Sequence, residues 1–341
     1  MSEMWFQMVK KPTVISTFAG CGGSSLGYKL AGFHELLAVE WDDNAVATFK
    51  LNFPEVPVFH GDIAKLTGAE CMRLAGDIKP GELDVFDGSP PCQGFSTAGK
   101  RKFDDPRNSL FKEYARLLRE LQPKVFVMEN VTGMVKGVMK QAYLQIIKTL
   151  RECGYRALGE VLNAMYFNVP QSRERVIIIG VRDDLGVEPN HPKPQTRPLR
   201  FGAALGLVVT DGDQHRQASA RVLKYAKHHR GGWNTDMRLM VKLSGKTYSV
   251  ASLKWAELDS PLGTIAKQEI VDAGIMHPNR ERYLSMNELK AGASFPQSFD
   301  FTSRKNAIQR IGNSVPPNLM RAIAEHIKSN ILSKCEDIHA K

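Results

Sequence analysis

The first 181 residues alternate short apolar runs with stretches of helical character, and this alternation limits the possible folds most strongly. The strand-like runs lie at residues 13–18, 36–41, 56–60, 84–86, 125–128, 157–162 and 176–181. The main helical stretches lie at 26–31, 44–52, 109–121 and 140–153. Strands separated by helices are typical of βαβ units. The sequence therefore predicts an α/β fold with a doubly wound, largely parallel sheet.

A change of composition indicates a second, smaller domain. Four prolines fall between Glu188 and Phe201, which is typical of a linker. Beyond it the alternation is lost and basic and aromatic residues increase, until regular order returns near Ile311. We expect a discontinuous large domain of residues 1–190 and 305–341, and a smaller domain with a hinge at 191–304.

The overall charge indicates what kind of partner the chain binds. Lys and Arg number 46 against 36 Asp and Glu, a net charge of +10, which favours a polyanionic partner. No run approaches the length of a bilayer span and residues 1–11 lack an apolar signal core, so we expect no membrane partner and a cytoplasmic, nucleoid-associated protein. The five cysteines are scattered without a Cys-x-x-Cys pair, so we expect neither a disulfide framework nor a metal site.

A glycine-rich loop follows the first predicted strand at residues 18–23. Glycines let the backbone approach a ligand closely, and the following helix start offers unpaired amides, although a simple tight turn has the same composition. Glu40 comes 20 residues after Gly20, at the end of the second strand, where a carboxylate can accept both ribose hydroxyls. The third glycine of a dinucleotide fingerprint is shifted. A compact adenosine cofactor such as S-adenosylmethionine therefore fits better.

Two further side chains stand at predicted strand ends beside this loop. Trp41 could stack on an adenine, and Asp62 could accept a hydrogen bond from the adenine amine. The alternatives are a core aromatic for Trp41 and a helix cap for Asp62.

Cys92 follows a strand and two prolines, Pro90 and Pro91. The prolines restrict the backbone that leads into this thiol, which indicates a positioned nucleophile. Activation by nearby positive charge or by a helix start would help, because a free thiol titrates near pH 8.5. The other four cysteines are interpreted as small buried residues.

Glu129 ends the fifth strand, so it should lie at the same sheet edge as Cys92. A thiolate that attacks carbon 6 of a pyrimidine pushes electrons toward carbon 5, which can then accept a methyl group from a sulfonium. A neighbouring carboxyl helps by hydrogen bonding ring nitrogen 3 and the exocyclic amine.

Gln171, Arg173 and Arg175 alternate in an extended segment that enters the strand at 176–181. Alternate residues of a strand share a face, so these three should point the same way. One guanidinium could contact a base or a phosphate and another could support the cysteine loop, whereas a solvated strand start is the simpler alternative.

These motifs together resemble the DNA cytosine-5 methyltransferases over nearly the whole chain. The matching segments, in chain order, are 18–23, 91–93, 105–111, 129–131, 171–175, 282–285, 294–296 and 312–315. The resemblance implies a Rossmann-like S-adenosylmethionine-dependent methyltransferase sheet with a smaller target-recognition domain. It also implies a bacterial or phage enzyme of the restriction-modification type, with S-adenosyl-L-homocysteine as the product.

The resemblance implies roles for single residues. Cys92 would be the nucleophile and Glu129 the acid, with Arg173 near the base and Arg175 in support. The expected cofactor-binding residues are Phe18, Gly20, Gly22, Gly23, Glu40, Trp41, Asp62, Pro90, Asn313 and Ser314. The expected DNA-binding residues are Gln93, Ser96, Lys100, Arg101, Lys102, Gln171, Lys224, Arg230, Trp233 and Arg238.

The implied chemistry sets further expectations for the substrate. Carbon 6 of a stacked cytosine is out of reach, so the base must be flipped out of the duplex. Residues 94–104 have the small and basic composition of a closing lid, and 197–280 that of a recognition region. We expect a monomer that acts on double-stranded DNA. A tRNA cytosine-5 methyltransferase, a nucleotide-dependent oxidoreductase and a non-catalytic DNA-binding module remain the alternatives.

Overall fold

A computed structural model describes residues 11–91, 109–209, 215–244, 253–267 and 274–335. Several residues with expected roles lie outside these ranges: Cys92, Gln93, Ser96, Lys100, Arg101 and Lys102.

A seven-stranded sheet organises the chain, as the alternation predicted. Its strands are β1 (Thr13–Thr17), β2 (His34–Glu40), β3 (Val58–His60), β4 (Val85–Gly88), β5 (Val125–Val131), β6 (Tyr155–Asn163) and β7 (Glu174–Arg182). Their order across the sheet is β3-β2-β1-β4-β5-β7-β6. β1 to β5 pair in parallel, whereas β7 runs antiparallel to both β5 and β6. The order reverses between β1 and β4, and such a switch point is where α/β sheets bind ligands.

Helices connect and cover the strands. They are α1 (Gly23–Leu30), α2 (Asp43–Asn52), α3 (Gly68–Leu74), α4 (Ser109–Leu121), α5 (Lys140–Glu152), α6 (Phe201–Leu205), α7 (Ala220–Ala226), α8 (Met237–Ser244), α9 (Met286–Gly292), α10 (Arg304–Asn313) and α11 (Pro317–Ile327). α11 continues into a π-helical turn at Lys328–Leu332, and a two-stranded parallel sheet pairs β8 (Leu253–Trp255) with β9 (Gly274–Met276). Among the described helices, none is both long and apolar enough to cross a bilayer.

The two faces of the large sheet bury separate apolar clusters. On one face Tyr28 of α1 and Leu319 and Ile323 of α11 pack against Val14 and Val85. On the other face, side chains of α4 and α5 pack against the alternate residues of the same strands. This three-layer arrangement follows from strands that are apolar on both sides.

A smaller core lies entirely within the second half of the chain. Tyr225, Met240, Trp255, Met276 and Tyr283 are members of it, and all are buried. A further apolar cluster contains residues of both predicted domains. Phe53 follows α2 and Ile308 lies in α10, so both belong to the predicted large domain, whereas Phe295 lies within residues 191–304. Residues 191–304 as a separate domain stay a prediction, and the small core is the feature that supports it.

Candidate active site

A cavity of about 190 Å³ lies at the carboxyl ends of the parallel strands. It is lined by Phe18, Val39, Glu40, Trp41, Gly61, Asp62, Ile63, Pro91 and Leu110. Phe18, Glu40, Trp41 and Asp62, which come from three different strand ends, are therefore brought together beside Pro91. The cavity lies where the strand order reverses, as the general rule for α/β sheets requires.

Glu40 is buried and its carboxylate is already heavily used. Oε2 accepts a hydrogen bond from the Gly20 amide at 2.8 Å. Oε1 accepts from the amides of Trp41 and Asp42 at 2.8 and 2.9 Å. A carboxylate offers about four acceptor positions. The geometry therefore leaves Glu40 about one acceptor position for a ligand hydroxyl, where the sequence suggested two.

Trp41 directly follows Glu40, Asp62 follows β3, and both border the cavity. Trp41 is 76% exposed, so its ring is free to stack and is not a core aromatic. Asp62 Oδ1 accepts from the Ala64 amide at 3.0 Å, so this residue caps a short 3-10 turn as well as facing the cavity. The ligand and capping interpretations of Asp62 are compatible.

The glycine loop packs against Phe53 and against the segment between α10 and α11. Gly22 has φ +93°, and a Cβ there would collide with the Phe53 ring. A Cβ on Gly23 would lie 2.7 Å from the Val315 carbonyl oxygen. Gly22 and Gly23 therefore permit close packing, and the Gly20 amide is the one that holds Glu40.

Asn313 and Ser314 lie where α10 ends, behind the glycine loop. Ser314 Oγ donates to the Arg310 carbonyl at 2.7 Å and lies 3.3 Å from Cys21 Sγ. Cys21 is buried, and burial raises the pKa of its thiol to about 11. Cys21 is thus a packing residue, as interpreted from the sequence, and Asn313 and Ser314 are not among the residues that line the cavity.

The ends of β4 and β5 are joined by Asn130, to which the sequence analysis gave no role. Asn130 Nδ2 donates to the Pro90 carbonyl at 3.0 Å, and its Oδ1 accepts from the Val131 amide at 2.9 Å. The bond holds the proline turn that leads to Cys92 against the strand that carries Glu129. The only sequence signal was the position of Asn130 directly after Glu129.

Glu129 forms an ion pair with Arg175 on the neighbouring strand β7. Glu129 Oε1 and Arg175 Nε are 2.7 Å apart, and the side chains are only 10% and 13% exposed. A buried pair of this kind requires good geometry, because both charges have lost most of their water. The pairing fixes the orientation of the carboxyl group that was predicted to act as the acid.

Arg173 bonds to backbone carbonyls of remote segments, whereas Arg175 is the arginine that forms the ion pair with Glu129. The Arg173 guanidinium is 1% exposed and donates to the carbonyls of Ile265 at 3.4 Å and Gly312 at 2.8 Å. Burial, with the nearby Arg175 charge, lowers the pKa of Arg173 to about 9. The resemblance implied that Arg173 lies near the base and Arg175 in support, whereas here Arg175 contacts the expected acid.

Gln171, an expected DNA contact, is also only 1% exposed. Its Nε2 donates to the Gly292 carbonyl at 3.2 Å and its Oε1 accepts from the Ile265 amide at 3.1 Å. Both ends of the amide are therefore engaged within the chain, which leaves little of it for DNA.

The expected DNA-binding residues within 191–304 differ in their exposure to solvent. Lys224, Arg230 and Arg238 are exposed, as phosphate contacts would need to be. Trp233 is half-buried and its indole fills the space where a Cβ on Gly263 would stand. Trp233 therefore has a packing role in this structure.

Within the ranges that the structure describes, no group of three or more His, Cys, Asp or Glu side chains gathers as metal ligands do.

The sheet, with its cavity at the switch point, defines a Rossmann-like fold of the kind that methyltransferases use. A family model described as C-5 cytosine-specific DNA methylase matches residues 12–329. The chain therefore belongs to the C-5 cytosine-specific DNA methylase family, and it is a DNA cytosine-5 methyltransferase. The resemblance read from the motifs is confirmed, and so is the fold class.

Two relatives and two solved structures illustrate the similarity. The chain is 36% identical to the Type II methyltransferase M1.HphI of Haemophilus parahaemolyticus, over 92% of this chain and 86% of the relative. It is 32% identical to M.XorII of Xanthomonas oryzae pv. oryzae, over 96% and 87%. A DNA modification methyltransferase encoded within an E. coli prophage is similar in structure, with a TM-score of 0.73 and 25% identity over 95% of this chain and all of that one.

A Spodoptera frugiperda DNMT2 structure has a TM-score of 0.67 at 20% identity, over 93% of this chain and 99% of that one. At that identity the likeness shows the shared fold alone. It gives no preference to the RNA alternative.

Proposed function

We propose that the protein transfers a methyl group from S-adenosylmethionine to carbon 5 of a flipped-out cytosine, within a short specific duplex sequence, through a covalent adduct with Cys92. One observation carries the proposal. Pro91 borders the cavity, while the preceding Pro90 is hydrogen bonded to Asn130, the residue next to Glu129. The chain segment that leads to Cys92 thus lies between this cavity and a buried carboxyl group.

The cavity residues fit the adenosine part of the donor. The exposed ring of Trp41 can stack on the base, and Asp62 has the acceptor that an adenine amine needs. Glu40, held by three amides, can accept from one ribose hydroxyl. When bound, S-adenosylmethionine supplies an electrophilic methyl group on a sulfonium, and S-adenosyl-L-homocysteine is released.

The reaction assigns a distinct step to each protein group. The Cys92 thiolate adds to carbon 6 of cytosine, and the ring electrons move toward carbon 5, which takes the methyl group. Glu129 hydrogen bonds ring nitrogen 3 and the exocyclic amine, so that negative charge does not accumulate on the ring. A base then removes the carbon 5 proton, and the carbon–sulfur bond breaks to restore the thiolate and the aromatic ring.

For the two arginines we propose the reverse of the roles that the resemblance implied. Arg175 Nε lies 2.7 Å from Glu129 Oε1, and this ion pair supports a role for Arg175 at the base edge. Arg173 is buried among backbone carbonyls and supports the structure around the site. The alternation of the strand brings the two side chains near each other, as expected.

Recognition and base extrusion complete the proposal. A cytosine inside a duplex cannot be reached, so the base must leave the stack. Residues 191–304 form the target-recognition domain, with Lys224, Arg230 and Arg238 on its exposed surface for phosphate contacts. The basic residues Lys100, Arg101 and Lys102 are proposed to contact DNA phosphates. The protein acts as a cytoplasmic monomer of the restriction-modification type.

A tritium-transfer assay tests the proposed substrate. The purified protein is incubated with S-adenosyl-L-[methyl-³H]methionine and either duplex DNA or tRNA, and the product is digested to nucleosides. We expect label in 5-methyldeoxycytidine from the duplex and none above background from tRNA. Label confined to tRNA would contradict the choice of DNA, and transfer by Cys92→Ala would contradict the nucleophile.

A further inference from the structure

The residues that lead into β7 are hydrogen bonded to residues 262–267, which are remote in sequence. Residues 262–267 are called here the crossing segment. The Leu262 amide donates to the Pro170 carbonyl at 2.9 Å, and the Ser172 amide donates to the Leu262 carbonyl at 2.7 Å. Gln171 and Leu262 thereby form a parallel β-bridge. Thr264 Oγ1 adds a bond to the Ser172 carbonyl at 3.0 Å. The crossing segment therefore lies along the residues that lead into β7.

Two buried side chains of the segment that leads into β7 bond to the backbone of the same residue of the crossing segment, Ile265. Gln171 Oε1 accepts from the Ile265 amide, and an Arg173 guanidinium nitrogen donates to the Ile265 carbonyl. The other end of each side chain reaches a helix end, Gly292 of α9 for Gln171 and Gly312 of α10 for Arg173. Each side chain therefore joins three segments of the chain.

Gly312 shows how tightly these segments meet. A Cβ on Gly312 would lie 2.5 Å from the backbone of Ala266 and of Lys267. Backbone atoms cannot move aside as a flexible side chain can, so the crossing segment and the end of α10 are fixed against each other.

The crossing segment is also connected, through Trp233, to the small core that contains Trp255. The indole of Trp233 occupies the space beside Gly263, and the Trp233 carbonyl accepts from the Trp255 amide at 3.1 Å. Trp255 is a buried member of that small core. On the opposite side, Arg175 lies two residues after Arg173 and contacts Glu129. A series of contacts, joined by short stretches of chain, thus runs from Trp255 to Glu129.

We propose that Gln171 and Arg173 are positioning residues that couple the placement of the recognition region to the catalytic acid. The inference rests on the proposed function, in which residues 191–304 read the DNA. A poorly matched site shifts the recognition region, and the buried contacts at Ile265 transmit that shift to β7 and to the Arg175–Glu129 pair. Misplacement of a catalytic group by about 1 Å can cost about 100-fold in rate. The coupling therefore makes methyl transfer depend on a correct target.

Three variants test the coupling. Gln171→Met removes both side-chain bonds at similar volume. Thr264→Val removes the bond to the Ser172 carbonyl at an exposed position and leaves the buried core intact. Tyr155→Phe is the matched control, because it removes a buried bond to the Pro123 carbonyl at the far edge of the sheet.

The readout is target preference in a random duplex library, from bisulfite sequencing of the methylated molecules. The ratio of methylation at the preferred site to that at its single-base variants does not depend on the fraction of active enzyme. We expect Gln171→Met to lower this ratio by about 10-fold, with donor affinity within about twofold of wild type. We expect Thr264→Val to lower it by a smaller factor and Tyr155→Phe to leave it unchanged.

Wild-type ratios in both Gln171→Met and Thr264→Val would overturn the coupling. If Gln171→Met does not fold, the ratio of Thr264→Val decides alone. The wild-type protein in the same library distinguishes a failure of the proposed function from a failure of the coupling. Absence of cytosine methylation by wild type would contradict the proposed function, whereas a sharp wild-type preference that the variants retain would contradict only the coupling.

Discussion

The side chain of Asn130 and the carbonyl of Pro90 are joined by a buried hydrogen bond of 3.0 Å. The bond links the end of β5, which carries Glu129, to the turn that follows β4 and leads to Cys92. The segments that carry the two groups proposed to act on the same pyrimidine are thereby connected through one side-chain amide. In chain order they are 37 positions apart, so their relative placement depends on such contacts.

Asn130→Asp should reduce methyl transfer without preventing donor binding. The substitution preserves size but removes the donor to Pro90, so the turn is no longer held. We expect a roughly 10-fold slower single-turnover rate and a loss of about 1–3 kcal/mol in the free energy of unfolding. Rapid-quench kinetics and thermal melts measure the two effects. An unchanged rate in a destabilised protein would show that the bond supports the fold alone.

Arg175→Lys and Arg173→Lys should have different consequences. Lysine keeps the charge but lacks the planar fork, so at position 175 it should misorient Glu129 and slow methyl transfer by about 10- to 100-fold. At position 173 it should mainly lower stability, because a buried ammonium cannot reach both the Ile265 and Gly312 carbonyls equally well. Single-turnover rates normalised to bound DNA compare the two. A larger rate loss at 173 than at 175 would restore the roles that the resemblance implied.

Lys224→Ala should weaken binding to all duplex sequences to a similar extent. The side chain is exposed on α7, where a phosphate contact is the common role of lysine. We expect the slope of log affinity against log salt to fall by about 1. Lys148→Ala, an exposed lysine of α5 near Glu152, is the control. A loss confined to one target sequence would show that Lys224 reads base edges instead.

Glu35→Gln should change how stability depends on pH. Burial raises the pKa of Glu35 from 4.5 to about 7, although a hydrogen bond from Ser25 acts in the opposite direction. The folded state therefore binds this proton more tightly than the unfolded state. The Glu35 contribution to stability is complete below pH 4.5, declines as pH rises toward 7, and is lost above it. The variant lacks this decline.

The difference between Glu35→Gln and wild type should grow with pH. We expect the variant to gain up to about 3 kcal/mol relative to wild type between pH 5 and pH 8. Urea denaturation at several pH values measures the gain. Parallel stability curves for the two proteins across this range would contradict the buried, raised pKa of Glu35.

Much of the fold followed from local pattern, and the departures have physical reasons. The seven apolar runs became seven strands; the central ones are largely buried, whereas β3 and β6 lie at the edges of the sheet and are partly exposed. The antiparallel direction of β7 was not predictable, since an apolar run carries no information on direction. α3 was missed although Thr67 caps it by accepting from the Glu70 amide at 3.2 Å, a Thr-x-x-Glu signature that was present in the sequence.

The candidate site was predictable where strand ends determine it. Phe18, Glu40, Trp41 and Asp62 meet because carboxyl ends of parallel strands share one edge. The contacts of Gln171 were not predictable, since its partners Gly292 and Ile265 lie 121 and 94 residues away. Contacts of such separation depend on how the second region packs, and no local periodicity encodes that.

Covalent trapping tests the central claim most directly. A duplex that carries 5-fluorocytosine at the target is mixed with the protein and S-adenosylmethionine, and the products are separated under denaturing conditions. Fluorine replaces the proton that must leave carbon 5, so the bond between carbon 6 and the Cys92 sulfur should persist after methyl transfer. We expect a protein–DNA adduct with wild type, with peptide mapping to Cys92, and none with Cys92→Ala. Failure of wild type to form the adduct on a duplex that it otherwise methylates, or an adduct that survives in Cys92→Ala, would contradict the account.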